Sequence, residues 1–415
     1  MRCQKSKYGE WVRGRRLAWV SVSLALWLLP AACSVGPDYV RPAVETPATY
    51  KEAGQWKIAQ PRDDLRKGPW WETFNQPELN RLEEQVIVSN QNLAAAEAQY
   101  RQAQALVRQY RAGYFPTVTA GASVSRARAS ENIGALSGGS ITNHYQLPVD
   151  LSWELDLWGK IRRSVESGQA QAQANAADLA AARLSAQAAL AQNYFQLRVL
   201  DSQKTLYDQS VAALTKFLDL TRGRYANGVA SRAELLQAET QLKTTQAQAI
   251  DLGIQRAQLE HAIATLIGTA PSDLSIPENG AIPVPPMIPV GVPSELLERR
   301  PDIASAERQA AAANARIGIA EAAYYPTLSL GAAAGWESTS VSKWLTWPSR
   351  FWSVGPAVSE TLFAGGLRRA QTEEARAAYD AAVAAYRQTV LAAFQEVEDN
   401  LAALRILEQE ARVQD

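Results

Sequence analysis

Tyr145-Gln146-Leu147-Pro148-Val149-Asp150-Leu151-Ser152-Trp153-Glu154-Leu155-Asp156 alternates an apolar with a polar residue along its whole length. A period of two sustained this long belongs to a β-strand with one apolar and one polar face. Tilted strands of about this length cross a bilayer. Upstream, after Gly113-Tyr114-Phe115-Pro116, the residues Val118, Ala120, Ala122 and Val124 alternate with Thr117, Thr119, Gly121, Ser123 and Ser125. A Ser/Gly-rich loop from Leu136 to Ser140 joins the two runs, so 116–156 reads as a β-hairpin. Tyr145 and Trp153, near the strand ends, suit an aromatic girdle at an interface. Asp150 and Glu154 fall on the polar face, where they hydrate a lumen better than they serve as an acid–base pair. A soluble hairpin with one buried face would show the same alternation.

On either side the period changes to 3.5. Leu79, Leu82, Val86, Ser89, Leu93, Ala96, Tyr100, Ala103, Val107 and Tyr110 follow alternating steps of three and four, which predicts one coiled-coil seam. From about Leu157 to Tyr225 there is no proline, enough for a helical rod of about 100 Å. Leu200, Val211, Leu214, Leu218 and Tyr225 mark its distal seam. A return helix carries Leu235, Ala238, Leu242, Thr245, Ala249, Leu252, Leu259, Ile263 and Leu266, with Arg256 as the one intruder. Asn227-Gly228 between them is a turn pair, and Ser231 with Glu234 forms a capping box. The small seam residues let helices approach closely and curve into a wall.

The chain then repeats itself. Tyr324-Tyr325-Pro326-Thr327 echoes Tyr114-Phe115-Pro116-Thr117, and Gly365-Gly366-Leu367-Arg368-Arg369 echoes Gly159-Lys160-Ile161-Arg162-Arg163. A second hairpin is expected at 326–362, with Trp336, Trp344, Trp347 and Trp352 as its girdle. The expected organisation is repeat one at 70–270, a Pro-rich linker at 271–293 and repeat two at 294–415. Each repeat reads helix, hairpin, helix, giving four strands. Four strands cannot close a barrel, and hydrocarbon does not tolerate an open sheet edge. If these strands span a membrane, several copies must share one barrel.

The chain has 415 residues and a formal net charge of zero, which argues against a nucleic-acid partner. Residues 1–32 hold six basic side chains and one acid, followed from Leu17 by an apolar run too short to span a bilayer. That segment reads as a signal peptide. Ala31-Ala32-Cys33 resembles a bacterial lipobox, with Pro30 where that motif has Leu, and makes Cys33 the lipid-attachment residue of an acylated extended segment, 33–69. Ser34 beside it fits sorting to the outer membrane. Both cysteines lie within the first 33 residues, and His144 and His261 are the two histidines. No metal site, cofactor or catalytic residue is expected, and His261 reads as structural.

Taken together, these features resemble the outer-membrane channels of tripartite efflux pumps, the TolC-like outer membrane factor family, in its lipoprotein branch. The residues that carry the resemblance are Asp38-Tyr39-Val40-Arg41-Pro42, Trp70-Trp71 with Phe74, Arg224-Tyr225 with Gly228, and Val292-Pro293-Ser294-Glu295-Leu296-Leu297-Glu298-Arg299-Arg300-Pro301-Asp302-Ile303. The resemblance implies a mainly α fold with a β-barrel portion: a homotrimer with a shared 12-stranded barrel in outer-membrane lipid and an α-helical tunnel in the periplasm. It implies passive export of small molecules, a periplasmic adaptor (membrane fusion protein) and an inner-membrane transporter as partners, and no enzymatic chemistry. Arg224, Tyr225 and Gly228 are the expected adaptor-contact tip, although plain turn geometry would account for them too.

Two other readings compete: an outlet for type I protein secretion, and a lipid-anchored structural coiled coil without a pore. Repeat one continues about 59 residues beyond Gln209 to Gly268, whereas repeat two stops at the counterpart of Gln209. The second helical hairpin is therefore expected to lack its tip and return helix, the chain being either a piece of a longer protein or a truncated one. Half a seam, Val390, Val397, Leu404 and Leu407, would then be exposed.

Overall fold

The computed structural model describes residues 34–44, 47, 50–51, 68–132, 139–281 and 299–414. The signal segment, Cys33 and the linker from 282 onward lie outside the described residues. The helices are α1 (Pro77–Ser89), α2 (Gln91–Ala112), α3 (Lys160–Ala226), α4 (Arg232–Leu266), α5 (Pro301–Ala322) and α6 (Leu367–Gln414). The strands are β1 (Thr117–Ala120), β2 (Ser123–Arg128), β3 (Ile141–Leu155), β4 (Thr327–Ser338) and β5 (Arg350–Ser359). Two compact units result, and each takes segments from both sequence repeats. One holds the sheet with residues up to 42, 103–172 and 307–386; the other holds 43–102, 173–306 and 387–415.

The sheet of the first unit runs β1/β2–β3–β4–β5, all antiparallel. Its five strands fill the four expected positions. β1 and β2 pair with β3 in one register, Ala120 facing Val149 and Ser123 facing Gln146, so they are one strand interrupted. Pro148 explains the gap. Its carbonyl accepts the Gly121 N–H at 3.0 Å, but proline has no N–H to return the bond, and the ladder lapses there. On its other side Pro148 faces Gly335, where a Cβ would lie 2.1 Å from the Leu147 carbonyl oxygen. Only glycine fits at that approach.

Register turns the alternation into two continuous faces, because directly paired residues share a side. Val118 pairs with Leu151, Leu151 with Ala332, and Ala332 with Val354. Likewise Ala120, Val149, Ala334 and Trp352 form one apolar row across the sheet. The opposite face carries Thr119, Asp150 and Ala333 in one row, and Thr117, Ser152, Gly331 and Gly355 in another.

The seam predicted from Leu79 to Tyr110 is not one helix. Asn90 breaks it in an extended conformation, its N–H closing α1 onto Val86 and its Oδ1 accepting from the N–H groups of Asn92 (2.9 Å) and Leu93 (3.0 Å). That side chain caps α2. The phase survives the break: Leu79, Leu82, Val86 and Leu93 all enter a core with Trp71, Leu190, Tyr194, Leu197 and Ile263. α3 has 67 residues, the rod the proline-free stretch predicts. Its buried seam includes Leu190, Tyr194 and Leu197, which the heptad reading of its distal half missed. Leu218 packs against Ala238 and Leu242 as expected, whereas Tyr225 is exposed. On α6, Val390 is fully buried and Val397 half-buried, so of the four expected to be exposed only Leu404 and Leu407 are.

Arg256 is not an intruder. Its Nε binds Asp201 at 2.8 Å, its Nη1 binds Glu260 at 3.1 Å, and its Nη2 donates to the Ile276 carbonyl at 2.6 Å. Asp201 also accepts from buried Arg198 at 3.0 Å and from the Asn279 N–H at 3.0 Å. Arg198 completes its fork with Glu78 and the Pro277 carbonyl. The network ties α1, α3, α4 and segment 274–281 together. Arg198, Asp201 and Arg256 each have partners on more than one element, the condition under which buried charge is tolerable.

Glu83 on α1 is the exception. Its side chain is fully buried, and neither carboxylate oxygen has a hydrogen-bond partner among the described residues. Burial pushes its pKa up to about 8. The folded state therefore holds a proton that the unfolded chain releases near pH 4.5, and stability falls as pH rises from about 4.5 to about 8. Thermal unfolding of Glu83→Gln at pH 5 and pH 8.5 is expected to lack that part of the pH slope, with its gain over the parent confined to the higher pH.

Candidate functional site

Aromatic residues gather at both ends of the strands. Toward the loop end, Tyr145 lies 5.6 Å from Trp344, ring to ring, and Trp344 Nε1 approaches the Trp336 carbonyl at 3.4 Å. Trp352 is exposed on the apolar face. Toward the helix end, Trp153 Nε1 donates to the Tyr114 carbonyl at 3.0 Å. Tyr145 and Trp153 are eight residues apart on β3, about 26 Å at strand rise. Sequence reading named Trp153 but missed Trp158, which stacks on Tyr325 at 4.8 Å and donates from Nε1 to the Pro326 carbonyl at 2.7 Å. Its signal was an indole just before the Gly159 turn, past the alternating stretch.

Asp150 is exposed on the polar face, beside Thr119 and Ala333. Glu154 shares that face about 13 Å along the strand, too far for the two to share a proton. It pairs instead with Lys160 at 3.2 Å. Among the described residues no three His, Cys, Asp or Glu side chains come together to hold a metal ion. No described helix is long and apolar enough to cross a membrane.

The segment just after Cys33 is held at the junction of β3 and α3. Asp156 caps α3, its two oxygens accepting from the N–H groups of Ile161 and Arg162, both at 2.9 Å. The Val35 N–H donates to the Trp158 carbonyl at 3.2 Å, and Ser34 lies against Gly159. Buried Arg163 then gathers the segment: it donates to the carbonyls of Val35 and Gly36 and pairs with Asp38 at 2.9 Å and Glu166 at 2.8 Å. Gly36 has φ +95° and crosses α5 where a Cβ would meet the Gly318 Cα at 2.4 Å. Asn314 Nδ2 donates to the Pro37 carbonyl at 2.9 Å, and Tyr39 Oη donates to Glu307 at 2.7 Å. Burial, reinforced by that bond, pushes the Tyr39 phenol above its ordinary range.

At the α3–α4 tip, Arg224 and Tyr225 end α3. The Arg224 carbonyl accepts from the N–H groups of Val229 (2.9 Å) and Ala230 (3.2 Å), and the Tyr225 carbonyl from Gly228 (3.0 Å). Gly228 has φ +67°, with no atom near the place of a Cβ. The Ser231–Glu234 capping box is present in both directions, and those bonds hold Glu234 below its usual range. The side chains of Arg224, Tyr225 and Val229 are exposed around this turn.

The family model for outer membrane efflux proteins matches residues 82–269 and 292–415. The chain belongs to the outer membrane efflux protein family. Its function is efflux through an outer-membrane channel. The efflux protein is 33% identical over 92% of its length to the solvent efflux pump outer membrane protein SrpC of Pseudomonas putida, covering 82% of that protein. To the outer membrane protein OprJ of Pseudomonas aeruginosa it is 31% identical over 96% of its length and 83% of OprJ. The structure of the outer-membrane channel OprN superposes with a TM-score of 0.85 at 33% identity, over 91% of this chain and 84% of that one. The open-state Neisseria gonorrhoeae MtrE outer membrane channel gives 0.77 at 27% identity, over 92% and 84%.

Several of the residues that carried the resemblance are structural in this efflux protein. Trp71 is in the core, and Phe74 packs on Phe195 at 4.6 Å. Arg300 pairs with Asp302 at 2.7 Å and Glu396 at 2.8 Å, while Pro301 opens α5. Burial pulls Asp302 up, but the Arg300 guanidinium and the Ile303 N–H outweigh it and hold it below the usual carboxylate range. Residues 292–298 of that signature lie outside the described residues.

At the tip, space is free at Gly228 and only backbone conformation is demanding. Gly228→Asn is expected to keep the turn, whereas Gly228→Val, in a left-handed conformation, costs about 1–2 kcal/mol. Amide exchange at Val229 and Ala230 reads the difference, faster in the valine variant and unchanged in the asparagine variant.

Proposed function

We propose that three copies of this chain close a shared 12-stranded barrel in the outer membrane, continued by an α-helical tunnel in the periplasm. Through it, small molecules delivered by an inner-membrane transporter and a periplasmic adaptor leave the cell. The observation that carries this reading is the register of the sheet. It puts Val118, Ala120, Val149, Leu151, Ala332, Ala334, Trp352 and Val354 on one face and Asp150 and Glu154 on the other, and leaves two strand edges unpaired among the described residues. An apolar outer band, aromatic residues at both interfaces and a polar lumen are what a barrel in lipid requires.

The lipid anchor at Cys33 is supported by its neighbour. Ser34 rests against Gly159, beside Trp158 and the aromatic residues of the helix end, so an acyl chain on the preceding residue would enter the membrane at its periplasmic interface. The exposed tip of Arg224, Tyr225 and Gly228, rigidly built and free of packing demands on its outer surface, is the surface we assign to the adaptor. Relatives named for solvent, toluene and antibiotic efflux favour small organic compounds as cargo over secreted protein.

Reconstituted protein in planar bilayers is expected to show discrete conductance steps; an inactive, well-folded preparation would contradict the proposal. Asp150→Lys should shift ion preference toward anions without lowering the yield of assembled protein. Val149→Lys, one residue away on the apolar face, is expected to cost about 2–4 kcal/mol and to lower the yield.

A further inference from the structure

The two repeats build the same pair of features. Each ends its hairpin in a strand-to-helix junction: Gly159-Lys160-Ile161-Arg162-Arg163 after β3, and Gly365-Gly366-Leu367-Arg368-Arg369 after β5. Each begins its hairpin with a helix-to-strand turn: Tyr114-Phe115-Pro116-Thr117 before β1, and Tyr324-Tyr325-Pro326-Thr327 before β4. The first junction meets the second turn inside the chain. Pairing of Leu155 with Leu328 brings the end of β3 beside the start of β4, and Trp158 then stacks on Tyr325 and bonds to Pro326.

Among the described residues, the second junction and the first turn have no such contact within the chain. Leu362 is 94% exposed, Phe363 88% and Phe115 70%. The loop that presents Leu362 and Phe363 is nonetheless built. Arg368 pairs across it with Glu360 at 2.9 Å and lies over the Tyr324 ring, and Gly365 and Gly366 take φ +57° and +88° to make the bend. Two adjacent apolar side chains, held out by a fixed loop, ask for a cover.

We infer that Leu362 and Phe363 dock on the Tyr114-Phe115-Pro116 turn of a neighbouring copy of this chain. The inference rests on the trimeric reading above and specifies its contact. When the free edge of β5 pairs with the free edge of the next copy's β1, the end of β5 comes beside the start of that β1, as the end of β3 lies beside the start of β4. The β5–α6 junction then meets the next α2–β1 turn, as the β3–α3 junction meets the α5–β4 turn. The aromatic residue stands one place earlier than in the first junction, where Ala364 occupies the position of Trp158, and phenylalanine has no N–H for the Pro116 carbonyl. The contact between copies is therefore apolar where the contact within the chain adds a hydrogen bond.

The test places a photo-reactive aromatic at the site, Phe363→p-benzoylphenylalanine, which keeps a ring there. The mass of the purified assembly is measured first, and it is then irradiated. The expected product is a covalent dimer on denaturing gels, whose linked peptide is Ala112–Arg126 of the second chain. Its yield should fall at least fivefold when Phe115→Ser is added. A trimer whose adducts form with lipid, or within the same chain, overturns the docking contact and leaves the trimer standing. A monomer before irradiation overturns both.

Discussion

An antiparallel sheet with one largely apolar face and two edges unpaired among its described strands is an unstable object in any solvent. In water the face is the liability; in hydrocarbon the edges are, since each unpaired N–H and C=O there costs several kcal/mol. Only closure of edge onto edge removes both problems, and four strand positions cannot curl into a barrel alone. The rest of the structure follows from that constraint. In the chain, β3 and β5 run directly on into the long helices α3 and α6.

The internal repeat makes closure economical. A ring built from two near-equivalent hairpins per chain has two kinds of junction, one within a chain and one between chains. The within-chain junction can be inspected directly, at Trp158, Tyr325 and Pro326. Within each unit, a few charged side chains act as organisers rather than as chemistry. Arg163 fastens the N-terminal segment to α3, and Arg198 with Arg256 fastens segment 274–281 to α3 and α4. An efflux duct does no bond-making, and its polar side chains serve packing, hydration and recognition.

Much of this was legible because the signals were periodic. Alternation through Tyr145–Asp156 and the heptads of the α3–α4 hairpin each report one repeating environment, and the Asn227-Gly228 and Ser231-x-x-Glu234 pairs are local turn chemistry. What escaped was aperiodic or distant. Asn90 ends α1 and caps α2 without shifting the phase between Val86 and Leu93, so the break left no mark on the pattern. Pro148 interrupts hydrogen bonding while leaving side-chain alternation intact. Arg256 looked out of place because Asp201 and Ile276, which explain it, lie elsewhere in the chain. At the candidate surfaces, Trp153 was visible inside the alternation, whereas Trp158 lay past its end. Tyr225 was assigned to a seam by spacing alone, although the tip turn exposes it.

Closure of the sheet by neighbouring copies is most directly tested by amide hydrogen exchange on the assembled protein. Peptides from the edge strands β1, β2 and β5 are compared with those from the central strands β3 and β4. Paired edges predict that Val118–Ala120 and Arg350–Ser359 exchange as slowly as the middle of β3. Fast exchange confined to those edges, with β3 and β4 protected, would mean that the sheet stays open and would contradict the account.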